Sequence, residues 1–236
     1  NDSTTSPSDV PDYTSDLNQT DMLGSLPRMK IGVVKNQLND VDKQILNNFN
    51  ESINILKKLG AEIIDIDLPN SEYGIACYYI IQPAEVSSNL ARYDGIRYAN
   101  PRDSFGAEAK RRIMLGTFTL SVGYYDAYYK KAFAVRELLR SEFKKAFDTV
   151  DVIFSPTTPG PAFKLGEKTD DPLEMYLSDI YTVTANLVGV PALSFPMGSL
   201  EVDGTALPLG GQFMGRWFEE QTLLDMAFAL EQAHEK

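Results

Sequence analysis

The stretch that decides the fold opens on Met29-Lys30-Ile31-Gly32-Val33-Val34 and closes on Ile63-Ile64-Asp65-Ile66-Asp67-Leu68-Pro69. The first run is apolar and follows Pro27, as a buried strand would. Between the two, Val41, Ile45, Phe49, Ile53, Leu56 and Leu59 recur at helical spacing, and that spacing puts one apolar stripe on a helix. Gly60 stands where a helix C-terminal cap favours glycine. Ile64, Ile66 and Leu68 alternate with Asp65 and Asp67, the period of a half-buried strand, and Pro69 stops it. Strand, helix and strand in this order form a βαβ unit, so the sheet is at least partly parallel.

Working outward, residues 1–27 are rich in Ser, Thr, Asp, Asn and Pro and read as an extended lead-in lying over something else. Residues 28–236 form the domain. Helices are expected over 74–93, 105–120 and 123–147. In the third, Tyr125, Tyr128, Ala132, Val135, Leu139, Phe143 and Ala146 make one apolar stripe. Residues 150–154 read as a buried strand. Asp171-Pro172-Leu173-Glu174 reads as a helix start, with that helix running to Val188. Strands follow at 192–196 and 209–214, joined through the hairpin signal Asp203-Gly204. A last helix spans 219–232. The fold class is therefore α/β, a mixed sheet of about five strands flanked by helices.

Composition sets bounds on function. The chain has 236 residues, 43% apolar and 23% charged, with a formal charge of −11. An acidic surface argues against broad nucleic-acid binding, which rests on cations neutralising phosphates. RNA handled through a partner protein remains compatible. The single cysteine, Cys77, excludes an internal disulfide and fits a cytoplasmic setting. No apolar run is long enough to span a membrane.

The residues alone carry no catalytic apparatus. His234, the one histidine, is the third residue from the end and reads as tail. Cys77 reads as a small core residue. Ser87 and Ser88 lie in a helix with no base in view and read as surface serines. Leu209-Gly210-Gly211 precedes a strand and suits close backbone packing, not phosphate binding. What remains is a set of recognition groups. Arg112 follows Lys110 and Arg111 on a helix that turns apolar, and a guanidinium can hold a carboxylate by two hydrogen bonds. Asp179 is read as a mid-helix aspartate, a position of poor propensity that suits a contact to an ammonium group. Tyr78 and Tyr79 offer polar tips on an apolar wall. For each, a plain surface or core role is also open.

Several long segments resemble a known family. They are the run from Tyr78 through Pro83-Ala84-Glu85-Val86-Ser87-Ser88-Asn89-Leu90-Ala91-Arg92 to Tyr93-Asp94-Gly95-Ile96-Arg97-Tyr98, the segment Lys110 to Lys131, and Asp170 to Tyr176. Asn186-Leu187-Val188-Gly189-Val190-Pro191-Ala192 and Leu207 to Gly215 add to them. Together they resemble the glutaminase component of tRNA-dependent amidotransferases in the amidase-signature family. The resemblance covers essentially the whole chain. It implies part of the amidase-signature fold, similar to the C-terminal half only, with the family's Ser–cis-Ser–Lys triad expected before Asn1.

That resemblance implies a protein that releases ammonia from glutamine to amidate Glu-tRNA(Gln) or Asp-tRNA(Asn). By position in the motifs, Arg112 resembles the residue holding the glutamine carboxylate. Asp179 resembles the one holding its ammonium, and Tyr78, or alternatively Tyr79, lines the same pocket. No catalytic residue, cofactor or metal is expected in this chain. ATP and Mg would act in a partner, and the implied partners are the amidotransferase's B and C subunits, with tRNA reached through the complex. Two other readings are a fragment of a stand-alone small-amide amidase and a non-catalytic binding module. The loop from Ala99 to Gly106 is shorter than the family's, and an uncovered sheet edge would favour self-association.

Overall fold

The computed structural model describes residues 5–14, 26–39, 41–92, 100–168 and 172–234. The βαβ expectation holds. Strand β1 (Lys30–Val33), helix α1 (Lys43–Lys58) and strand β2 (Glu62–Asp65) follow one another, and the two strands pair in parallel. Asp42 caps α1, its carboxylate accepting from Gln44 N at 2.8 Å. Gly60, at φ 98°, makes the turn out of it. Strand β2 is shorter than its alternation suggests and ends before Ile66 and Leu68.

Helices α2 (Gly74–Leu90), α3 (Ala107–Thr119) and α4 (Lys130–Ala146) come next, then strand β3 (Val152–Pro156). β3 lies beside β1 in parallel and is buried along its whole length, as a continuous apolar strand should be. Two short helices, α5 (Pro172–Leu177) and α6 (Val183–Val188), lead to strands β4 (Ala192–Val202) and β5 (Thr205–Gly215). Asp203 and Gly204 take φ of 51° and 76°, the paired positive values of a tight hairpin turn. Helix α7 (Glu220–His234) closes the chain.

The sheet order is β2-β1-β3-β5-β4, with β5 antiparallel to both its neighbours. Successive side chains on a strand point to opposite faces. Ile31, Val33, Val152, Phe154 and Phe213 pack with α1 and α7 on one face. Ile153 and Met214 pack with α2, α4 and α6 on the other. Gly211 admits the rings of Phe154 and Phe195, since a Cβ there would stand 2.7 Å from Phe195. The double glycine therefore serves close packing, as read from the sequence.

Three expectations change. The stripe on the third helix breaks at Tyr125–Tyr129, which form a π turn. Its wider turn puts the tyrosines out of phase with Ala132, Leu139 and Phe143, leaving Tyr125 39% and Tyr128 50% exposed. The helix expected over 171–188 is two helices separated by a turn at Ser178–Thr182, so Asp179 is a turn residue, not a mid-helix one. Ser87 is buried rather than on the surface.

The Tyr93–Tyr98 run, Ala99 and Asp171 with its capping role lie outside the described residues, as do parts of the lead-in. Within the lead-in, Tyr13 donates to Glu220 Oε2 at 3.2 Å, so this piece rests at the start of α7.

Candidate functional site

The site grows from the contact of α2 with α3. Pro83 lies inside α2 and has no N–H to give the Tyr79 carbonyl four residues back. Gly116 of α3 is buried against the Pro83 carbonyl, where a Cβ would fall 1.8 Å from its oxygen. Only glycine lets the helices approach this far. One turn earlier on α3, that approach carries Arg112 onto Tyr79 and Gln82 of α2.

The Arg112 side chain is 19% exposed and held from several sides. Its Nε donates to Glu108 Oε1 at 2.9 Å, one helical turn back, and its Nη1 donates to Gln82 Oε1 at 2.9 Å. The guanidinium carbon lies 5.1 Å from the Tyr79 ring centre and 5.6 Å from that of Tyr176, both within cation–π range. Those two rings stack at 3.9 Å. Tyr176 also donates its hydroxyl to Glu108 Oε1 at 3.3 Å. The guanidinium has five N–H groups and gives two of them to Glu108 and Gln82, with the Tyr79 hydroxyl close beside the others.

The electrostatics follow this geometry. The hydrogen bond from Arg112 holds the Glu108 carboxyl below its usual range. Burial works against the Arg112 charge, yet the hydrogen bond to Glu108 and the neighbouring Tyr79 more than offset it, and its pKa is raised. Burial pushes the Tyr79 phenol up to about 12, with Arg112 opposing and the charge of nearby Asp179 adding. The Tyr79 hydroxyl is enclosed and meets no partner at hydrogen-bond geometry, although it lies within the field of Arg112.

The structure therefore brings Arg112, Tyr79 and Tyr176 together, with Asp179 close enough to be felt at Tyr79. Asp179 is exposed, and its carboxylate forms no ion pair or hydrogen bond with any described residue. Tyr78 meets Tyr79 edge-on at 5.0 Å but turns to an adjoining cleft of about 330 Å³ that Gln82 also lines. Of the two tyrosines, Tyr79 is thus the one beside the guanidinium.

Arg111 pairs with Glu108, and Lys110 reaches the Asp103 carbonyl at 2.9 Å, both exposed. Cys77 is buried, its thiol donating to Ala132 O at 3.1 Å, as a core residue would. Glu108, Gln82 and Tyr176 escape the sequence reading. A signal for Glu108 existed in its four-residue spacing from Arg112, and one for Gln82 in its place as a lone amide in an apolar helix. Among the described residues, no group of three His, Cys, Asp or Glu could hold a metal ion. No described helix is long and apolar enough to cross a membrane.

The fold has a known setting. The amidase family profile matches residues 1–224, and the chain belongs to the amidase family. Its relatives include the A subunit of glutamyl-tRNA(Gln) amidotransferase from Thermoanaerobacter pseudethanolicus, 49% identical, with 99% of this chain and 49% of the relative covered. The protein of the same name from Coxiella burnetii is 44% identical, with 98% and 49% covered. Among solved structures, the A subunit of glutamyl-tRNA(Gln) amidotransferase from Thermotoga maritima superposes with a TM-score of 0.65 at 39% identity, over 88% of this chain and 42% of that one. A 6-aminohexanoate cyclic dimer hydrolase superposes at 0.74 with 19% identity and shares the fold alone. The chain spans about half the length of the curated relatives it matches.

Proposed function

We propose that this chain is the C-terminal part of the glutamine-hydrolysing component of a tRNA-dependent amidotransferase, and that the Arg112 cage is its glutamine clamp. The carrying observation is the guanidinium itself. It is mostly buried and aimed by Glu108 and Gln82, with N–H groups left over. A carboxylate fits those remaining donors as a charge-assisted pair. The unspent Asp179 carboxylate, close to Tyr79, suits the α-ammonium of the same amino acid. The stacked Tyr79 and Tyr176 rings wall the guanidinium and lower the dielectric around it.

On this reading the chain binds and orients, while the Ser–cis-Ser–Lys triad comes from the other half of the family's domain. Ammonia passes to the B and C subunits, where ATP and Mg serve the amidation of tRNA. The relatives' names support this branch over a stand-alone amidase. So does the cage, because a small neutral amide gives Arg112 and Asp179 nothing to hold.

The test is Arg112→Ala in the complete chain, assayed for glutamine hydrolysis. Truncating one partner of a buried charge pair costs on the order of 2–5 kcal/mol, so the glutamine KM should rise about thirtyfold or more. An unchanged KM removes Arg112 from the site and the proposal with it.

A further inference from the structure

Asp179 stands on a turn that its own sequence does little to fix. Ser178–Thr182 holds no glycine or proline. Its local bonds run three residues back, from Ser178 N to Met175 O and Asp179 N to Tyr176 O at 3.1 Å each, and from Ile180 N to Leu177 O at 3.3 Å. Asp179 and Ile180 are exposed, whereas Tyr181 is buried. Toward α5 the turn is held by Tyr176, stacked on Tyr79. Toward α6 it is held through Tyr181.

Two anchors meet at Tyr181. Its hydroxyl donates to Gln37 O at 2.8 Å, in the short helical turn after β1. Its carbonyl accepts from Gln212 Nε2 at 3.1 Å. Gln212 is buried on β5, opposite Ser155 of β3 and Ser194 of β4. A backbone carbonyl only accepts, so the Gln212 amide must present its NH2 to the turn. The same NH2 reaches Ser155 Oγ at 3.3 Å, which pins the amide to the sheet as well. Burying an amide is costly unless it is paired, and here the pairing runs from the sheet to the turn. Asp179 lies two residues from the carbonyl that Gln212 holds. Its own carbonyl accepts from Thr182 N and Val183 N at 3.0 Å each, which ties it to the start of α6. Arg112 has separate supports, since Gln82 and Glu108 lie on α2 and α3.

We infer that Gln212 is a positioning residue for the ammonium half of the clamp: acting through Tyr181, it fixes the Ser178–Thr182 turn and with it the place of the Asp179 carboxylate. The inference rests on the glutamine reading above and extends it from the clamp into the sheet. Asp179 supplies the charge, and Gln212 sets where that charge stands.

The test uses the complete chain in its complex and three substrates: glutamine, glutaramic acid, which lacks the α-ammonium, and 4-aminobutanamide, which lacks the α-carboxylate. In Gln212→Leu the preference for glutamine over glutaramic acid, as a ratio of kcat/KM, should fall about tenfold or more, as a misplacement near 1 Å costs. The preference for glutamine over 4-aminobutanamide should hold, because the keepers of Arg112 are untouched. Tyr181→Phe removes only the bond to Gln37 and should lower the ammonium preference about two- to tenfold, the worth of one neutral hydrogen bond. A wild-type ammonium preference in Gln212→Leu, or in Tyr181→Phe should the first not fold, overturns the inference. So does an equal fall in both preferences, the mark of general loosening. Asp179→Ala keeps the two proposals apart: an unmoved ammonium preference there removes the Asp179 reading itself, whereas a lost one beside a wild-type ratio in Gln212→Leu removes only the role of Gln212.

Discussion

A single methyl at Gly116 should disturb both the fold and the site. In Gly116→Ala the new Cβ would lie 1.8 Å from the Pro83 oxygen, 2.3 Å from its carbonyl carbon and 2.8 Å from Ser87 Oγ. Ordinary contact begins near 3.4 Å, so the added carbon must retreat by about 1.6 Å. The obstacle is helix backbone, which cannot rotate away as a side chain would, so α3 itself has to move off α2. Overpacking of this kind costs roughly 1–3 kcal/mol. For a chain of this size, that lowers Tm by about 2–12 °C. The same shift stretches the 2.9 Å bond from Arg112 to Gln82 past hydrogen-bonding range. The glutamine KM of the complete chain should therefore rise along with the loss in Tm, although Gly116 touches no ligand. Thermal unfolding and glutamine kinetics on the same preparation read the two effects. Wild-type Tm with wild-type KM would refute the close α2–α3 contact as what positions Arg112.

Other predictions follow from single environments. Arg216 donates to Phe147 O at 2.9 Å, Val150 O at 3.0 Å and Asp151 Oδ1 at 3.1 Å, tying the end of α4 to the start of β3. Arg216→Ala should cost about 2–3 kcal/mol in urea unfolding, and Arg216→Lys should restore part of it, because the three acceptors converge on the one nitrogen Nη2 while the added bond from Nε to Phe147 O is lost; wild-type stability in Arg216→Ala would count against the tie. Burial pushes the Cys77 thiol up to about 11, so iodoacetamide at pH 8 should label it slowly when native and fully when denatured, and rapid native labelling would contradict its burial. Glu108 has a folded pKa below its ordinary 4.5, so its contribution is present above that value and fades as pH falls through the lower, folded one. Glu108→Gln should therefore flatten the loss of stability on acidification below about pH 4.5, and an unaltered acid limb would detach Glu108 from Arg112.

Much of the fold was legible because local rules and packing agree there. The stripe on α1 keeps one period from Ile45 to Leu56, and its cap residues sit where the pattern ends. Asp203-Gly204 needs positive φ at both positions and takes it. The tyrosine stripe failed because a π turn adds one residue per turn, which a 3.6-residue period does not register. Asp179 reads as helical in the sequence because nothing near it breaks a helix by composition; the chain turns at Ser178–Thr182 without a glycine or proline. For the site, Arg112 could be singled out from its motif, but its keepers could not. Gln82 and Tyr176 lie 30 and 64 positions from it in sequence, and only the α2–α3 contact and the turn before α6 bring them to the guanidinium. The choice between Tyr78 and Tyr79 depended on which way one helix faces, which a tyrosine pair in an apolar segment leaves open.

The claim that Arg112 holds an amino-acid carboxylate is tested most directly by removing either partner of that pair. Glutamine and 4-aminobutanamide, which lacks the α-carboxylate, should be compared as substrates of the complete chain and of its Arg112→Ala variant. The wild type should favour glutamine strongly, and the variant should lose that preference, since the group that reads the carboxylate is gone. A variant that still prefers glutamine to the same degree would show that the carboxylate is held elsewhere.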